Sequence, residues 1–362
     1  MSRWHWALAP ALVLCLSAAL AAAEGLDQTG NPGLKSAGPL AFGPKGVLFI
    51  GDPIGAQIVA IGVPAGEATP IGADFKLEAL SDKLGGVLGI PGGEVRINDV
   101  AVDPATKVAY ISAARGSSPS AEAAILTVDG KGAVKVLSLD KVPHAKIAIS
   151  NAPPEGAVDK RGRSQRTNTI TDLAYVDGKV FIAGMSNEEF ASKLRSVAFP
   201  FKSADTGTSV EILHTAHGAA IETRAPVQTF VPFNVGGEPQ ILAAYTCTPL
   251  VTFPVKALEP GKKIRGTTVA ELGNGNQPLD MIIYEKGGKT YLLLSNSRRG
   301  VMKITTDAIE KQNLTAAVTG GGKAGLSYET IDALKDVAQL DKLSANNALV
   351  LAGGNLQAIA LP

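Results

Sequence analysis

Short runs of apolar residues, each broken by a tight turn, recur along most of the chain. In the clearest copy, residues 172–184, Asp-Leu-Ala-Tyr-Val is followed by Asp177-Gly178 and then by Lys-Val-Phe-Ile-Ala-Gly. Two β-prone runs on either side of an Asp-Gly pair are typical of a β-hairpin. Similar stretches begin at six positions, namely Pro39, Asp99, Asp172, Thr229, Asp280 and Asp336. The pattern therefore predicts a repeat protein built from hairpins.

A third apolar strand follows each hairpin, and a fourth is visible in most copies. Four antiparallel strands that recur roughly every 56 residues are typical of the blades of a β-propeller. We therefore predict an all-β fold, a six-bladed β-propeller of four-stranded antiparallel blades, in a single domain at residues 24–362. A seven-bladed ring with a degenerate copy in residues 64–96 is the alternative. We expect the ring to close through a strand borrowed from residues 24–36.

The repeated phrase resembles the YVTN/NHL class of propeller repeats, most clearly in Val-Asp-Gly-Lys-Val-Phe-Ile-Ala at residues 176–183. The resemblance covers most of residues 24–362 at the level of the repeat, and no copy contains the string YVTN itself. It implies the propeller fold. It implies no particular activity, because that superfamily includes proteins of unrelated function.

The first 23 residues have the features of a secretory signal peptide. Arg3 precedes an apolar run from Ala7 to Leu20, and three alanines at residues 21–23 form a small-residue cleavage site. A membrane anchor is the alternative, which the short run and Pro10 disfavour. We therefore predict an exported protein, periplasmic or secreted, with no transmembrane segment after cleavage.

Composition narrows the cofactors and partners. The formal net charge is +1, which predicts no binding to nucleic acid. Cys247 is the one cysteine after residue 23, so we expect no internal disulfide. Both tryptophans lie in the predicted signal peptide, so the Trp-containing repeats of quinoprotein dehydrogenases are absent. The chain also lacks a Cys-x-x-Cys-His motif and a Gly-rich phosphate loop, and we therefore expect no haem, PQQ or nucleotide.

Propeller geometry converts the repeat into a map of candidate sites. The first strand of each blade lines the central channel and starts at the face that carries the loops between blades, here named the top face. The first residue of the repeat then lies at the channel mouth. It is a carboxylate in four copies, Asp99, Asp172, Asp280 and Asp336. Converging carboxylates suit a divalent cation such as Ca²⁺. An aspartate that caps its own turn would recur equally well, so both interpretations stay open.

Enlarged loops also point to the top face, where binding sites are usually built. They lie at residues 72–96, 115–123, 144–171 and 186–195. Polar residues in these loops or at the ends of second strands are the candidates for ligand binding, namely Asp52, Arg115, Arg163, Asn187, Glu188, Cys247, Asn296, Arg298 and Arg299. For Arg298 and Arg299, an ion pair with Asp280 is the alternative to a ligand clamp.

His214 and His217 form a His-x-x-His pair near the end of a predicted fourth strand. At this spacing on a strand the two side chains point to opposite faces. A shared metal ion would therefore need a bend in the chain between them.

Two function classes follow. The first is an exported binding or interaction module whose top-face loops and channel mouth bind a small ligand, an ion or a protein partner, since no catalytic constellation is recognisable. The second is a divalent-metal-dependent hydrolase or lactonase of the gluconolactonase-like kind, with Asn98, Asn187 and Asn296 joining the aspartates as ligands. The sequence does not decide between an enzyme and a binding protein, and it leaves the oligomeric state open.

Overall fold

The computed structural model describes residues 24–64, 68–118 and 121–362, so the predicted signal peptide lies outside the described residues. The described part contains one α-helix, α1 (Leu80–Leu88), and is otherwise built of strands, short 3-10 turns and loops. Within these ranges no helix has both the length and the apolar character needed to cross a membrane.

The strands of the first half of the chain are, in order, β1 (Gln28–Gly30), β2 (Leu40–Phe42), β3 (Val47–Asp52), β4 (Gln57–Gly62), β5 (Lys76–Leu77), β6 (Val95–Val102), β7 (Ala109–Arg115), β8 (Glu122–Val128), β9 (Val134–Val136), β10 (Val142–Ala148), β11 (Asp172–Val176), β12 (Lys179–Met185) and β13 (Ser192–Ala198).

The strands of the second half are β14 (Thr208–His214), β15 (Ala220–Glu222), β16 (Val227–Val235), β17 (Glu238–Tyr245), β18 (Pro249–Pro254), β19 (Lys263–Arg265), β20 (Thr267–Leu272), β21 (Pro278–Lys286), β22 (Lys289–Asn296), β23 (Gly300–Thr305), β24 (Lys323–Gly325), β25 (Tyr328–Thr330), β26 (Val337–Lys342), β27 (Asn347–Ala352) and β28 (Asn355–Ala360). The 3-10 turns are Pro44–Gly46, Gly92–Glu94, Arg166–Asn168, Thr215–His217, Val255–Ala257 and Ile309–Lys311.

These strands form a six-bladed propeller. In each blade four neighbouring strands pair antiparallel, and blades 1, 3 and 4 have a fifth strand at the outer edge. We number the blades by the order of their inner strands. From the channel outwards they are β2-β3-β4-β10-β1 (blade 1), β6-β7-β8-β9 (blade 2), β11-β12-β13-β14-β15 (blade 3), β16-β17-β18-β20-β24 (blade 4), β21-β22-β23-β25 (blade 5) and β26-β27-β28-β5 (blade 6). The predicted fold class is confirmed. The seven-bladed alternative is wrong, because residues 64–96 supply a strand of blade 6 and a helix.

The blades do not follow one another around the ring in chain order. The inner strand of blade 1 lies between those of blades 2 and 3, and the inner strand of blade 2 lies between those of blades 1 and 6. The order around the channel is therefore 1-3-4-5-6-2. The chain leaves blade 1 after β4, builds blade 2, and then returns to complete blade 1 with β10.

The ring closes through β5, which pairs with β28 on the outer edge of blade 6. The expectation that residues 24–36 supply the closing strand is wrong. Within that segment β1 pairs with β10 on the outer edge of blade 1. The physical reason is the ring order, since blade 2 separates the N-terminal segment from blade 6.

Helix α1 fills the outer part of the seam between blades 6 and 2. Leu80, Leu84 and Leu88 follow one another at the i, i+4 spacing, so they share one face, and all three are buried. They belong to one apolar cluster with Leu351 of blade 6 and Ile111 of blade 2. The helix therefore covers apolar residues that blades 6 and 2 alone would leave exposed.

Most of the hydrophobic core lies between blades rather than within them. Each seam of the ring has its own apolar cluster, such as that of Phe49 and Ile58 with Leu173 and Ile182 between blades 1 and 3. Both faces of the second strand of a blade are therefore covered by neighbouring blades. This explains why those strands read as nearly continuous apolar runs in the sequence.

Candidate functional site

The channel opens on the top face into a cavity of about 390 Å³. Its wall is made by the first residues of the inner strands and by the segments that lead into them. The polar residues that line it are Ser36, Arg96, Asn98, Asp99, Thr167, Thr171, Asp172, Gln228, Thr229, Asp280 and Gln339. Ile54, Ile170 and Leu279 add apolar surface.

Three of the predicted aspartates share one role at this mouth. In Asp99, Oδ1 accepts a hydrogen bond from the backbone N–H of Val100 and Oδ2 accepts one from Leu40 of the neighbouring blade 1, both at 2.7 Å. The other two repeat this geometry at 2.7 Å, with Asp172 accepting from Leu173 and Phe230, and Asp280 from Met281 and Leu340. Each carboxylate therefore ties two blades together, and we call this arrangement a carboxylate clasp.

The clasps alternate around the ring. Asp99, Asp172 and Asp280 belong to blades 2, 3 and 5, which alternate with blades 1, 4 and 6. Asp341, on the inner strand of blade 6, makes a fourth clasp further along the channel by accepting from Lys342 (2.6 Å) and from Val102 of blade 2 (2.7 Å). Four of the six seams between blades are therefore bridged by a carboxylate.

Burial inside the channel raises the pKa of Asp99 and Asp172 to about 7 and that of Asp341 to about 6. Burial also raises the pKa of Asp280, and repulsion from Asp99 adds to the effect. The backbone hydrogen bonds of each clasp act in the opposite direction, because they stabilise the ionised form. With a pKa of about 7, Asp99 and Asp172 are protonated in part near neutral pH, and a protonated carboxyl group can donate as well as accept a hydrogen bond.

Asp336, the fourth predicted ring member, lies outside the ring. Its side chain is exposed and its φ is 54°. The residue of blade 6 equivalent to Asp99 is Gln339, since both follow a β-bulge and pair with the second strand, Gln339 with Leu351 and Asp99 with Ser112. The alignment of blade 6 was therefore displaced by three residues, because the sequence match selected Asp336, which lies before β26, and the ring position itself holds a glutamine.

The predicted ligand-binding residues lie away from the cavity wall. Asp52 is fully buried and holds the segment before blade 1, because its carboxylate accepts hydrogen bonds from the N–H groups of Lys35 (3.0 Å), Ser36 (2.8 Å) and Gly55 (2.8 Å). Arg115 donates to the Leu88 carbonyl at the end of α1 (2.6 Å). Both residues therefore stabilise local structure.

In blade 3, Glu188 pairs with the buried Lys193 and accepts a hydrogen bond from Asn151 (2.6 Å), and the backbone N–H of the exposed Asn187 donates to the Asn151 carbonyl (2.8 Å). Arg163 pairs with Asp159 (2.7 Å) on the surface. Glu188 and Asn187 therefore tie blade 3 to the segment that follows β10.

The remaining four candidates lie around Asn276, a residue that was not predicted from the sequence. The buried Asn296 accepts from the Asn276 side chain (2.8 Å), while the N–H groups of Cys247 and Arg298 donate to Asn276 oxygens (2.7 and 3.2 Å). Arg299 donates to the Asn274 carbonyl (2.8 Å). Among the ion pairs of the described residues, neither arginine pairs with Asp280, contrary to that alternative.

Several predicted loops contain regular structure. Residues 72–96 hold β5 and α1, residues 144–171 begin inside β10, and β13 starts at Ser192, within the predicted loop 186–195. The cavity residues Arg96, Gln228 and Gln339 were missed. Their positions in the repeat could have identified two of them. Gln228 immediately precedes the repeat start at Thr229, and Gln339 occupies the first position of the repeat in blade 6.

No known protein family matches the chain, and a comparison with curated proteins finds no match. Among solved structures the chain is similar to extracellular domains 1-2 of Drosophila semaphorin 1b, with 9% identity, 92% of this chain and 86% of that chain covered, and a TM-score of 0.40. It is also similar to the WD40 β-propeller domain of Doa1, with 7% identity, 92% of this chain and 96% of that chain covered, and a TM-score of 0.31. A third similar structure is the β-propeller domain of Cps50 (Swd1) from Myceliophteria thermophila, with 8% identity, 92% of this chain and 100% of that chain covered, and a TM-score of 0.36. All three TM-scores lie below 0.5, so these similarities carry no argument about the chain. The more specific YVTN/NHL resemblance stays a prediction.

Proposed function

We propose that the protein is an exported β-propeller binding module whose channel mouth binds a small polar ligand. The observation that carries this proposal is the cavity of about 390 Å³ at the mouth of a rigid ring. Cavities of this volume are typical of small-molecule sites, and the many polar residues in this wall favour a polar ligand.

The chemistry of the wall suggests the class of ligand. Arg96 is the cationic side chain in the lining, against three carboxyl groups, and the side-chain amides of Gln228 and Gln339 add donors and acceptors. Each oxygen of the clasped carboxylates accepts one backbone hydrogen bond and keeps a second lone pair that can accept another. A small molecule with several hydroxyl or ammonium donors fits this wall best.

A thermal-shift panel of monosaccharides, free amino acids and polyamines tests the proposal. We expect one of these classes to raise the Tm of the wild type by about 2–4 °C for each kcal/mol of binding free energy at the concentration used. Gln228→Ala should lose more than half of that shift. Gln312→Ala, near the opposite face after the Ile309–Lys311 turn, should keep it. A shift of equal size in both variants, or no shift in any class, would contradict the proposal.

Export is tested separately by fractionation. A C-terminally tagged full chain should appear outside the cytoplasm with its first 23 residues removed, and a chain that starts at Glu24 should stay inside the cell. Recovery of the intact, uncleaved chain from the membrane would instead support the anchor.

The second candidate is a divalent-metal-dependent hydrolase or lactonase. The observation that favours it is the ring of Asp99, Asp172 and Asp280, whose charges repel one another across one channel. Both oxygens of each carboxylate already accept a backbone hydrogen bond, so a cation would share them, and we rank this candidate second. It requires that Ca²⁺ raise the Tm, that EDTA abolish hydrolysis of simple lactones, and that Asp280→Asn do the same. A chain that shows none of these effects is not such an enzyme.

A further inference from the structure

The His-x-x-His pair is brought together by a hairpin at the outer edge of blade 3. Strand β14 ends at His214, a 3-10 turn covers Thr215–His217, and Gly218, with φ 74°, directs the chain into β15. The turn supplies the bend that a plain strand lacks. The two imidazole rings stack with centroids 3.7 Å apart.

One carboxylate oxygen contacts both rings. Glu222 lies opposite Ile212 in β15, and its Oε1 is 2.8 Å from His214 Nδ1 and 3.1 Å from His217 Nδ1. Possible ligand atoms of these three residues all lie within 4.8 Å of one another. The arrangement therefore gathers two nitrogens and one oxygen around one point.

A second carboxylate lies on the other side of His214. Glu271, on β20 of blade 4, is fully buried, and its Oε1 accepts hydrogen bonds from Thr215 Oγ1 (2.9 Å) and from the backbone N–H of Ala216 (3.0 Å). Its Oε2 is 3.8 Å from His214 Nε2. Within the described residues, both of these buried atoms lack a hydrogen-bond partner. Buried polar atoms without a partner are rare in folded proteins, and they often mark a bound water or ion.

A count of the N–H groups in the cluster shows that it lacks positive charge. The His214 ring has a carboxylate beside each nitrogen, and a neutral imidazole carries a single N–H. If Nε2 carries that proton towards Glu271, the Nδ1 lone pair faces an oxygen of Glu222, and His217 presents another nitrogen to the same oxygen. Among the described residues, Glu222 and Glu271 form ion pairs with histidines and with no lysine or arginine.

Positive charge can enter the cluster in two ways. Protonation of both histidines would place two cationic rings in a stack with centroids 3.7 Å apart, where they repel each other. A bound cation supplies the same charge at one point and uses the lone pairs of both Nδ1 atoms. Two imidazole nitrogens and one carboxylate oxygen are a ligand set that Zn²⁺ accepts.

We propose that His214 Nδ1, His217 Nδ1 and Glu222 form a binding site for a divalent transition metal such as Zn²⁺. The carboxylate of Glu271, 3.8 Å from His214 Nε2, then favours the tautomer that carries its proton on Nε2 and leaves Nδ1 free for the metal. The His214 side chain is 1% exposed, whereas those of His217 and Glu222 are 42% and 28% exposed. An ion can therefore reach His217 and Glu222 from solvent.

The test uses the purified full chain after treatment with a chelator, titrated with Zn²⁺ and with Co²⁺ at neutral pH. We expect one Zn²⁺ per chain by calorimetry. We also expect Co²⁺ to give the visible absorption of a four-coordinate site with nitrogen ligands. Glu222→Gln and His217→Ala should each weaken Zn²⁺ binding more than about 100-fold, since even loss of a residue that only orients a ligand costs 10- to 100-fold.

Two further variants distinguish the metal ligands from the residue that orients them and from carboxylates outside the cluster. Glu271→Gln should keep the stoichiometry and weaken binding about 10- to 100-fold, as expected for a positioning residue. Glu211→Gln, which removes a carboxylate from β14 outside the cluster, should bind like the wild type. The proposal is overturned if the wild type binds no Zn²⁺, or if Glu222→Gln and His217→Ala bind it as the wild type does. His217 is exposed, so its replacement leaves the fold intact for this comparison.

Discussion

Carboxylates gather at two places near the top of the propeller, and their partners differ. At the channel mouth, both oxygens of Asp99, Asp172 and Asp280 accept backbone N–H groups. In the His214 cluster, a buried oxygen of Glu271 and a buried nitrogen of His214 have no partner within the described residues. Both places contain several carboxylates, but only at the channel mouth do all the carboxylate oxygens have a hydrogen-bond partner.

The difference teaches which feature of a sequence indicates architecture and which indicates chemistry. A side chain that recurs with the repeat meets the same backbone groups in every copy, so its polar atoms are used by the fold. The His214 cluster arises from one turn in one blade, and no repeat supplies its partners. We therefore look for an unassigned ligand where a polar group is both irregular and unsatisfied.

The largest expected effect tests the structural role of the clasp. Asp172→Ala leaves the buried N–H groups of Leu173 and Phe230 without their acceptor. We expect a loss of about 3 kcal/mol in the free energy of unfolding, measured in urea. Asp336→Asn, at the exposed aspartate of blade 6 whose left-handed φ of 54° asparagine also tolerates, should change stability by less than about 0.5 kcal/mol. Equal losses in the two variants would show that the clasp contributes no more to the free energy of unfolding than an exposed aspartate does.

The pH dependence of stability sharpens the same point. Because the pKa of Asp99 is raised to about 7 in the folded chain, the folded state holds its proton at a pH where the unfolded state has released it. Its contribution is full below about pH 4 and is lost as pH rises to about 7. Asp99→Asn removes one of the four clasped carboxyl groups whose pKa is raised, so the slope of stability against pH should become shallower between about pH 4 and pH 7. An unchanged slope would show that these carboxyl groups do not titrate in this range.

Metal removal tests the other side of the comparison. At a free Zn²⁺ concentration ten times Kd, the wild type should gain about 1.4 kcal/mol over the chelated protein. Glu222→Gln should show no such gain in the same unfolding experiment. A gain of equal size in Glu222→Gln would place the ion elsewhere.

The smallest change in the free energy of unfolding is expected for an ion pair on the surface. The Asp159–Arg163 pair is made at 2.7 Å by an arginine side chain that is 70% exposed. Because exposed ion pairs contribute little, Arg163→Ala should change the free energy of unfolding by about 0.5 kcal/mol or less. A larger loss, measured by urea denaturation, would mean that the surrounding loop depends on this pair.

The fold was predictable from sequence because the repeat carries it locally. An Asp-Gly turn between two apolar runs is readable in blade 3 without any knowledge of its neighbours. Ring order was not readable, since nothing in residues 64–94 states that this segment crosses to blade 6. The same is true of closure, because β5 is two residues long and gains its strand character only from pairing with β28.

The candidate site was only partly predictable. Asp99, Asp172 and Asp280 were identified at the mouth because their position in the repeat fixes their height in the channel. Gln339 and Asp341 were missed, since the ring position of blade 6 holds a glutamine and Asp336, just before β26, was matched in its place. The His214–His217 pair was seen, but its convergence depends on a three-residue turn that spacing alone does not reveal.

The order of blades around the ring has a consequence for synthesis on the ribosome. The C-terminal strands β26 to β28 complete a blade whose outermost strand, β5, emerged more than 250 residues earlier. Until then the leucines of α1 lack the blade 6 residues, such as Leu351, that pack in the same apolar cluster. We therefore expect nascent chains that lack β26 to β28 to expose an apolar helix and to depend on chaperones. The last strands to be synthesised thus decide whether helix α1, near the start of the chain, is buried.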